Sequence, residues 1–162
     1  MATTATINLG LNIKKTLDSN VAGITTPDLN YDKLNTSKAL TSSTTPAVSN
    51  GSKQSIALSS GAKTIDLTAL TDANGASISL SGLKLVAVQI ENPAANANNM
   101  TFAPGSANGC NFMGASGQVT LSPGQSIEIY NHTGGPTIGS GIKNIDVTGT
   151  GSQAFYFGVV AG

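Results

Sequence analysis

Glu128, Tyr130 and His132 come nearest to catalytic machinery in this chain: an acid, a phenol and the only imidazole, within five residues. Such groups can pass a proton between substrate and water if a nucleophile or metal ion stands beside them. Their spacing argues for something plainer. In Ser126-Ile127-Glu128-Ile129-Tyr130, a strand would put Glu128 and Tyr130 on one face and Ile127 and Ile129 on the other. His132 follows at the strand's end, and no motif elsewhere nominates a nucleophile. Residues 117–135 therefore read as a β-hairpin turning at Ser122-Pro123-Gly124-Gln125, with a polar row toward solvent or an interface.

The other reactive residues are weaker candidates. Cys110 is the only cysteine, so no intrachain disulfide and no cysteine-based zinc site can form. It has no base nearby in sequence and reads as a small packed residue. Asp66, Asp72, Asp146 and Glu128 lie near strands, but there is no Asp-x-Asp-x-Asp loop and no second histidine to join them on a metal. Gly135-Pro136-Thr137-Ile138-Gly139-Ser140-Gly141-Ile142-Lys143 resembles a phosphate loop only superficially. Its glycine spacing is wrong, Ile142 separates Gly141 from Lys143, and a strand follows instead of a helix. Four Phe, three Tyr and no Trp supply a sugar-stacking platform poorly. The expectation is a protein that is not an enzyme, with no catalytic, cofactor or metal site.

Composition narrows the partners. The chain has 162 residues, of which 10% are charged, against about 25% in ordinary domains. All eight cations are lysines, and eight acids bring the net charge to zero. Without arginine there is no bidentate fork for phosphate, and without net charge no electrostatic footprint for nucleic acid. Solubility must rest on Asn, Ser, Thr and Gly, which suits a surface covered by partners. No stretch approaches the roughly 20 apolar residues of a membrane span. Met1-Ala2-Thr3-Thr4-Ala5-Thr6 lacks the basic, then apolar, run of a signal peptide, so synthesis and assembly in a cytoplasm are expected. Neither nucleic acid nor membrane is an expected partner.

The elements that must carry these residues are strands. Ile65 and Leu67, Ile127 and Ile129, Ile145 and Val147, and Phe155, Phe157 and Val159 each alternate with polar or small residues. Leu83 to Ile90 is apolar on both faces, as a central strand would be. Shorter strands fit Gln54–Leu58, Ser77–Leu80, Asn99–Ala103 and Gln118–Leu121. Asn74-Gly75, Asn92-Pro93, Pro104-Gly105 and Pro123-Gly124 punctuate them as turns. Lys63-Thr64-Ile65-Asp66-Leu67-Thr68 is echoed by Lys143-Asn144-Ile145-Asp146-Val147-Thr148, which reads as two alternating strands drifting to similar residues. The fold class is all-β: an antiparallel β-sandwich or jelly-roll-like domain over residues 51–162, preceded by an extended N-terminal arm and linker over residues 1–50.

Within the arm, Ile7, Leu9, Leu11 and Ile13 alternate with Asn8, Gly10, Asn12 and Lys14, the pattern of a strand that binds a partner. Residues 41–46, Thr-Ser-Ser-Thr-Thr-Pro, read as linker, and a helical turn fits Tyr31–Leu40. Burying each apolar side chain is worth about 1.5–3 kcal/mol, so the terminal strand should add to a sheet, in its own domain or a neighbour's. The polar stretch Asp18–Ser49, spanning about 30 Å as a coil of ~30 residues, favours the neighbour.

Four segments in order carry a resemblance: Ile65-Asp66-Leu67 with Leu70-Thr71-Asp72-Ala73-Asn74-Gly75; Leu83 to Asn92; Val119-Thr120-Leu121-Ser122-Pro123-Gly124-Gln125; and the terminal Val159-Val160-Ala161-Gly162. Residues 55–162 resemble small β-sandwich virion proteins of tailed bacteriophages, capsid decoration or cement proteins among them, with Gln125 standing where that pattern has a second glycine. The resemblance implies a virion structural protein and brings no catalytic residues. A decoration protein is expected on the outer capsid shell, linking neighbouring subunits, with the major capsid protein, other virion proteins and copies of itself (as a trimer) for partners. The alternative is a tail, baseplate or fibre-associated module that binds a host surface.

Overall fold

The computed structural model describes residues 3–9, 13–16, 28–31, 36–71 and 74–162. Among them are fourteen strands and no helix. Eight build a sandwich: β5 (Asn50–Ala57), β6 (Ala62–Asp66), β9 (Leu85–Glu91), β10 (Met100–Pro104), β11 (Val119–Leu121), β12 (Ser126–Tyr130), β13 (Asn144–Thr148) and β14 (Ala154–Ala161). One sheet has the order β12-β9-β14-β5 and the other β11-β10-β13-β6, every pair antiparallel. The chain changes sheets at each step along the eight except β10 to β11. That is the double Greek-key order of a jelly roll.

Two-residue periodicity builds the core between the sheets. Phe155, Phe157, Val159 and Ala161 of β14 point inward, as do Ile145 and Val147 of β13 and Met100 and Phe102 of β10. Phe102 and Phe155 meet edge to face across the sandwich, ring centres 5.4 Å apart. Leu67, Leu80 and Ile138 enter from loops and are fully buried. A short hairpin of β7 (Leu70–Thr71) and β8 (Ser77–Ile78) lies along β5, and Ser52 Oγ donates to Thr71 O at 2.7 Å.

The hairpin expected over residues 117–135 does not form. β11 pairs with β10 and β12 with β9, so Ser122–Gln125 crosses from one sheet to the other. Two corners hold this crossing: Gly124 N donates to Asn92 O at 2.7 Å and Asn92 N to Gln125 O at 2.9 Å. Gly124 has φ 82°, where a side chain would be strained. Gln125 Oε1 accepts from Ser122 N at 2.7 Å, tightening the turn. The echoed strands are immediate neighbours: β6 and β13 pair with Ile65 opposite Ile145. Their likeness therefore extends one sheet across a local two-fold relation.

Beyond the sandwich, β1 (Ala5–Leu9) pairs antiparallel with β4 (Thr36–Leu40), and β2 (Ile13–Thr16) with β3 (Asp28–Tyr31). The helical turn expected at Tyr31–Leu40 is corrected by these assignments, since Tyr31 ends one strand and Thr36–Leu40 forms another. The alternation of Lys38 and Leu40 with Ser37 and Ala39 suits a ribbon whose inner side buries Leu40. The β1–β4 ribbon lies on the outer face of the β12-β9-β14-β5 sheet. Ile7 and Leu40 form a second apolar cluster there with Val48, Val86 and Ala87, flanked by Ala5, Tyr130 and Val160. This cover explains why β9 is apolar on both faces. The serine- and threonine-rich loop after β4 is tied down: Val48 N donates to Thr41 O at 2.9 Å, and Thr44 Oγ1 to Pro46 O at 2.8 Å.

Candidate functional site

β12 presents Glu128 and Tyr130 on the outer face of its sheet while Ile127 and Ile129 pack toward the main core. The structure does not bring the trio into a relay. Tyr130 and His132 make an edge-to-face ring contact with centres 6.1 Å apart, His132 is exposed, and no hydrogen bond joins Glu128 to either. Tyr130 instead fastens the ribbon. Lys38 Nζ of β4 sits 5.8 Å from its ring centre and donates to Thr45 O at 2.7 Å. The Tyr130 hydroxyl is buried with no hydrogen-bond partner among the described residues.

The remaining candidates are held in structural roles. Asp66 accepts from Lys143 Nζ at 2.6 Å and from the Thr68 amide and hydroxyl, and Asp146 accepts from Thr64 Oγ1 and the Ser106 amide. Burial works against ionisation of both carboxyls, but these donors outweigh it and hold them below the usual aspartate range. The phosphate-loop look-alike is a tight turn closed by Gly139 and Ile142, and its lysine is spent on Asp66. Among the described residues, no group of three or more His, Cys, Asp and Glu stands close enough to hold a metal ion. Asp72 lies outside the described residues.

Cys110 is fully buried, and desolvation pushes its thiol up to about 11, so the reactive thiolate is scarce at neutral pH. A disulfide reagent is therefore expected to leave the native protein unlabelled over hours and to react within seconds in denaturant. Fast labelling of native protein would contradict this packing.

What the fold does assemble is a groove on the outer face of the β12-β9-β14-β5 sheet. Strand register sets Glu128, Gln89, Gly158 and Lys53 side by side across four strands, one from each. The next row outward holds Ser126, Glu91, Tyr156 and Ser55. Between the first row and β1 lies a cavity of about 530 Å³. It is bordered by the consecutive residues Thr3 to Asn8. Side chains alternate along a strand, so an unbroken run of lining residues through Ala5–Asn8 fits a wall made by the strand's edge. A second hollow of about 280 Å³ continues over Gly158 toward Tyr156 and Glu91. Tyr156, at 46%, is the exposed large apolar side chain among the described residues.

Glu128 has no hydrogen-bond or ion-pair partner among the described residues, and desolvation raises its carboxyl above the usual glutamate range. A carboxyl raised in the folded state contributes stability below its unfolded pKa and loses it as pH rises through the folded one. Glu128→Gln is therefore expected to raise the unfolding midpoint of the dilute, monomeric chain slightly at pH 7 and to leave it unchanged at pH 3, by urea titration at both. A loss at pH 7 would show that Glu128 stabilises the chain.

No family model, curated protein or solved structure matches this chain. The site rests on its own geometry. Of the arm residues, Ile7 is buried against the chain's own sheet. Leu11 and the side chains of Leu9 and Ile13 lie outside the described residues. Of the groove residues, Glu128 and Ile7 stood out in the sequence. Lys53, Gln89, Glu91, Tyr156 and Gly158 did not, although a glycine at an outward position of an alternating strand was a visible signal.

Proposed function

We propose that this chain is a structural protein of a tailed-bacteriophage virion, a decoration protein that binds the outer capsid shell and links neighbouring subunits. One observation carries the reading: the described residues of the four sequence segments that resemble such proteins fall on strands and corners of a jelly roll. Leu83–Asn92 supplies β9 and the buried corner residue Asn92, and Val119–Gln125 supplies β11 and the sheet crossing. The terminal Val159-Val160-Ala161-Gly162 finishes β14. Gly162 there exchanges backbone hydrogen bonds with Lys84, and an added Cβ would strike the carbonyl of Ala47. The low charge and the ribbon laid over one sheet fit a protein whose surface is shared with partners. The partners are the major capsid protein, other virion proteins and further copies of this chain.

The test is cryo-EM of particles purified from the cells that make the chain. Density for the jelly roll repeated over the capsid lattice, at hundreds of copies by densitometry, is the expected result. Density confined to the tail or baseplate, at a handful of copies, would replace this proposal by the tail-module reading.

A further inference from the structure

We infer that the groove between β1 and the row containing Gly158 accepts an extended strand from a second copy of this chain, namely its Ile13–Thr16 segment. The inference concerns how copies join and does not rest on the virion reading. The acceptor side has three properties. β1 pairs with β4 along one edge only, so its other edge offers unpaired amides and carbonyls to the groove among the described residues. Such an edge is a template for one more strand. The groove floor is Gly158, and the fold does not require glycine there. A Cβ at Gly158 would meet nothing nearer than Gln89 Cβ at 3.6 Å, and its φ is not left-handed. Glycine inside a strand weakens it, and without a steric reason its use is to let another backbone approach the sheet. Finally, Glu128 has no ion-pair partner among the described residues: the ion pair there is Lys143–Asp66, and the groove's own Lys53 stands three strands away in the same row.

The donor is on the same chain. Among the described residues β2 pairs with β3 and with no other strand, and an isolated two-stranded ribbon is marginal in water. Three residues separate Leu9 from Ile13, enough for a hairpin loop, yet β2 pairs with β3 and, among the described residues, no strand occupies the second edge of β1. At about 3.3 Å per residue, β2 spans ~13 Å and β1 ~17 Å, so the donor fits along the edge. It carries Lys14 and Lys15 in succession. Because side chains alternate, one of the two lysines would face the floor whichever way the strand lies, and in the proposed pairing it sits at the Glu128 end of the row, away from Lys53. Backbone pairing on β1, close approach over Gly158 and a lysine against Glu128 then satisfy all three open features together. Donation from copy to copy closes a dimer or a ring.

Equal amounts of ¹⁵N-labelled and unlabelled full-length chain, mixed and treated with a zero-length carbodiimide, should yield peptides joining Glu128 to Lys14 or Lys15 with one heavy and one light partner. Light scattering should show concentration-dependent association, weakened at least tenfold in Gly158→Ile, with native Cys110 protection as the control that the variant keeps its core; Gly158→Ala, whose Cβ clears its neighbours, should fold as the wild type does. Glu128→Lys should weaken association similarly, and adding Lys14→Glu and Lys15→Glu should restore it. Crosslinked peptides of a single isotope would overturn the inference by putting the arm on its own groove. So would association unaffected by Gly158→Ile and Glu128→Lys, or a monomer at every concentration.

Discussion

Replacing Phe155 by alanine is expected to destabilise the protein by about 4 kcal/mol, within the range for aromatic truncations in cores. The side chain is fully buried, comes from the central strand β14, and meets Phe102 of the opposite sheet edge to face. Its loss removes apolar burial, opens a cavity between two sheets that cannot close independently, and forfeits an aromatic contact worth about 0.5–1.5 kcal/mol. For a chain of this length, the melting temperature should fall by roughly 10 °C. Urea denaturation of Phe155→Ala beside Phe155→Leu measures it. Leucine refills much of the space, so a loss in Phe155→Leu as large as in Phe155→Ala would show that cavity volume is not the cause.

The second large effect is expected at Asn92, a polar residue with no exposed surface. Its Nδ2 donates to Leu121 O at 2.9 Å and Asn98 O at 3.1 Å, and its Oδ1 accepts from Asn96 Nδ2 at 2.7 Å. Asn96 in turn donates to Ala154 O at 2.6 Å, so the amide ties the β9 corner to β11 in the other sheet and, through Asn96, to β14. Asn92→Ala removes three bonds and leaves a buried carbonyl, Leu121 O, short of a donor. Unsatisfied buried groups cost about 1–3 kcal/mol each, so a loss of about 3 kcal/mol is expected. Asn92→Asp is the sharper probe, because it keeps the shape but presents an acceptor to two carbonyls. It should be at least as destabilising as alanine at pH 7 and partly recover at pH 3, where its protonated form can donate once. Equal stability of both variants at the two pH values would mean that the hydrogen bonds contribute little.

Acid should also weaken the wild type. Asp66 and Asp146 are held below the ordinary aspartate range, and a depressed carboxyl contributes stability above its unfolded pKa that is lost as pH falls through the folded one. The unfolding midpoint should therefore decline below about pH 4.

The sequence by itself determined the faces of the strands and therefore the fold class. Ile145 and Val147 had to point one way and Asn144, Asp146 and Thr148 the other, because the side-chain period of a strand is two wherever the strand goes. It also determined where the chain must turn, through Pro93, Pro104 and Pro123, and which chemistry arginine would have brought. Partner choice was decided only by the tertiary structure. Val119–Leu121 and Ser126–Tyr130 look like the arms of a hairpin, yet they belong to opposite sheets, because each finds its apolar match in β10 or β9. Ser37 to Leu40 alternates too weakly to be told from a helical turn until Ile7 of β1 and Val86 of β9 give Leu40 something to bury against. Glu128, Gln89, Gly158 and Lys53 are separated by up to 105 positions in the chain and become one row only through register. Alternation is local and survives any pairing. Which strands pair depends on burial and loop closure summed over the whole chain, and no window of residues contains that sum.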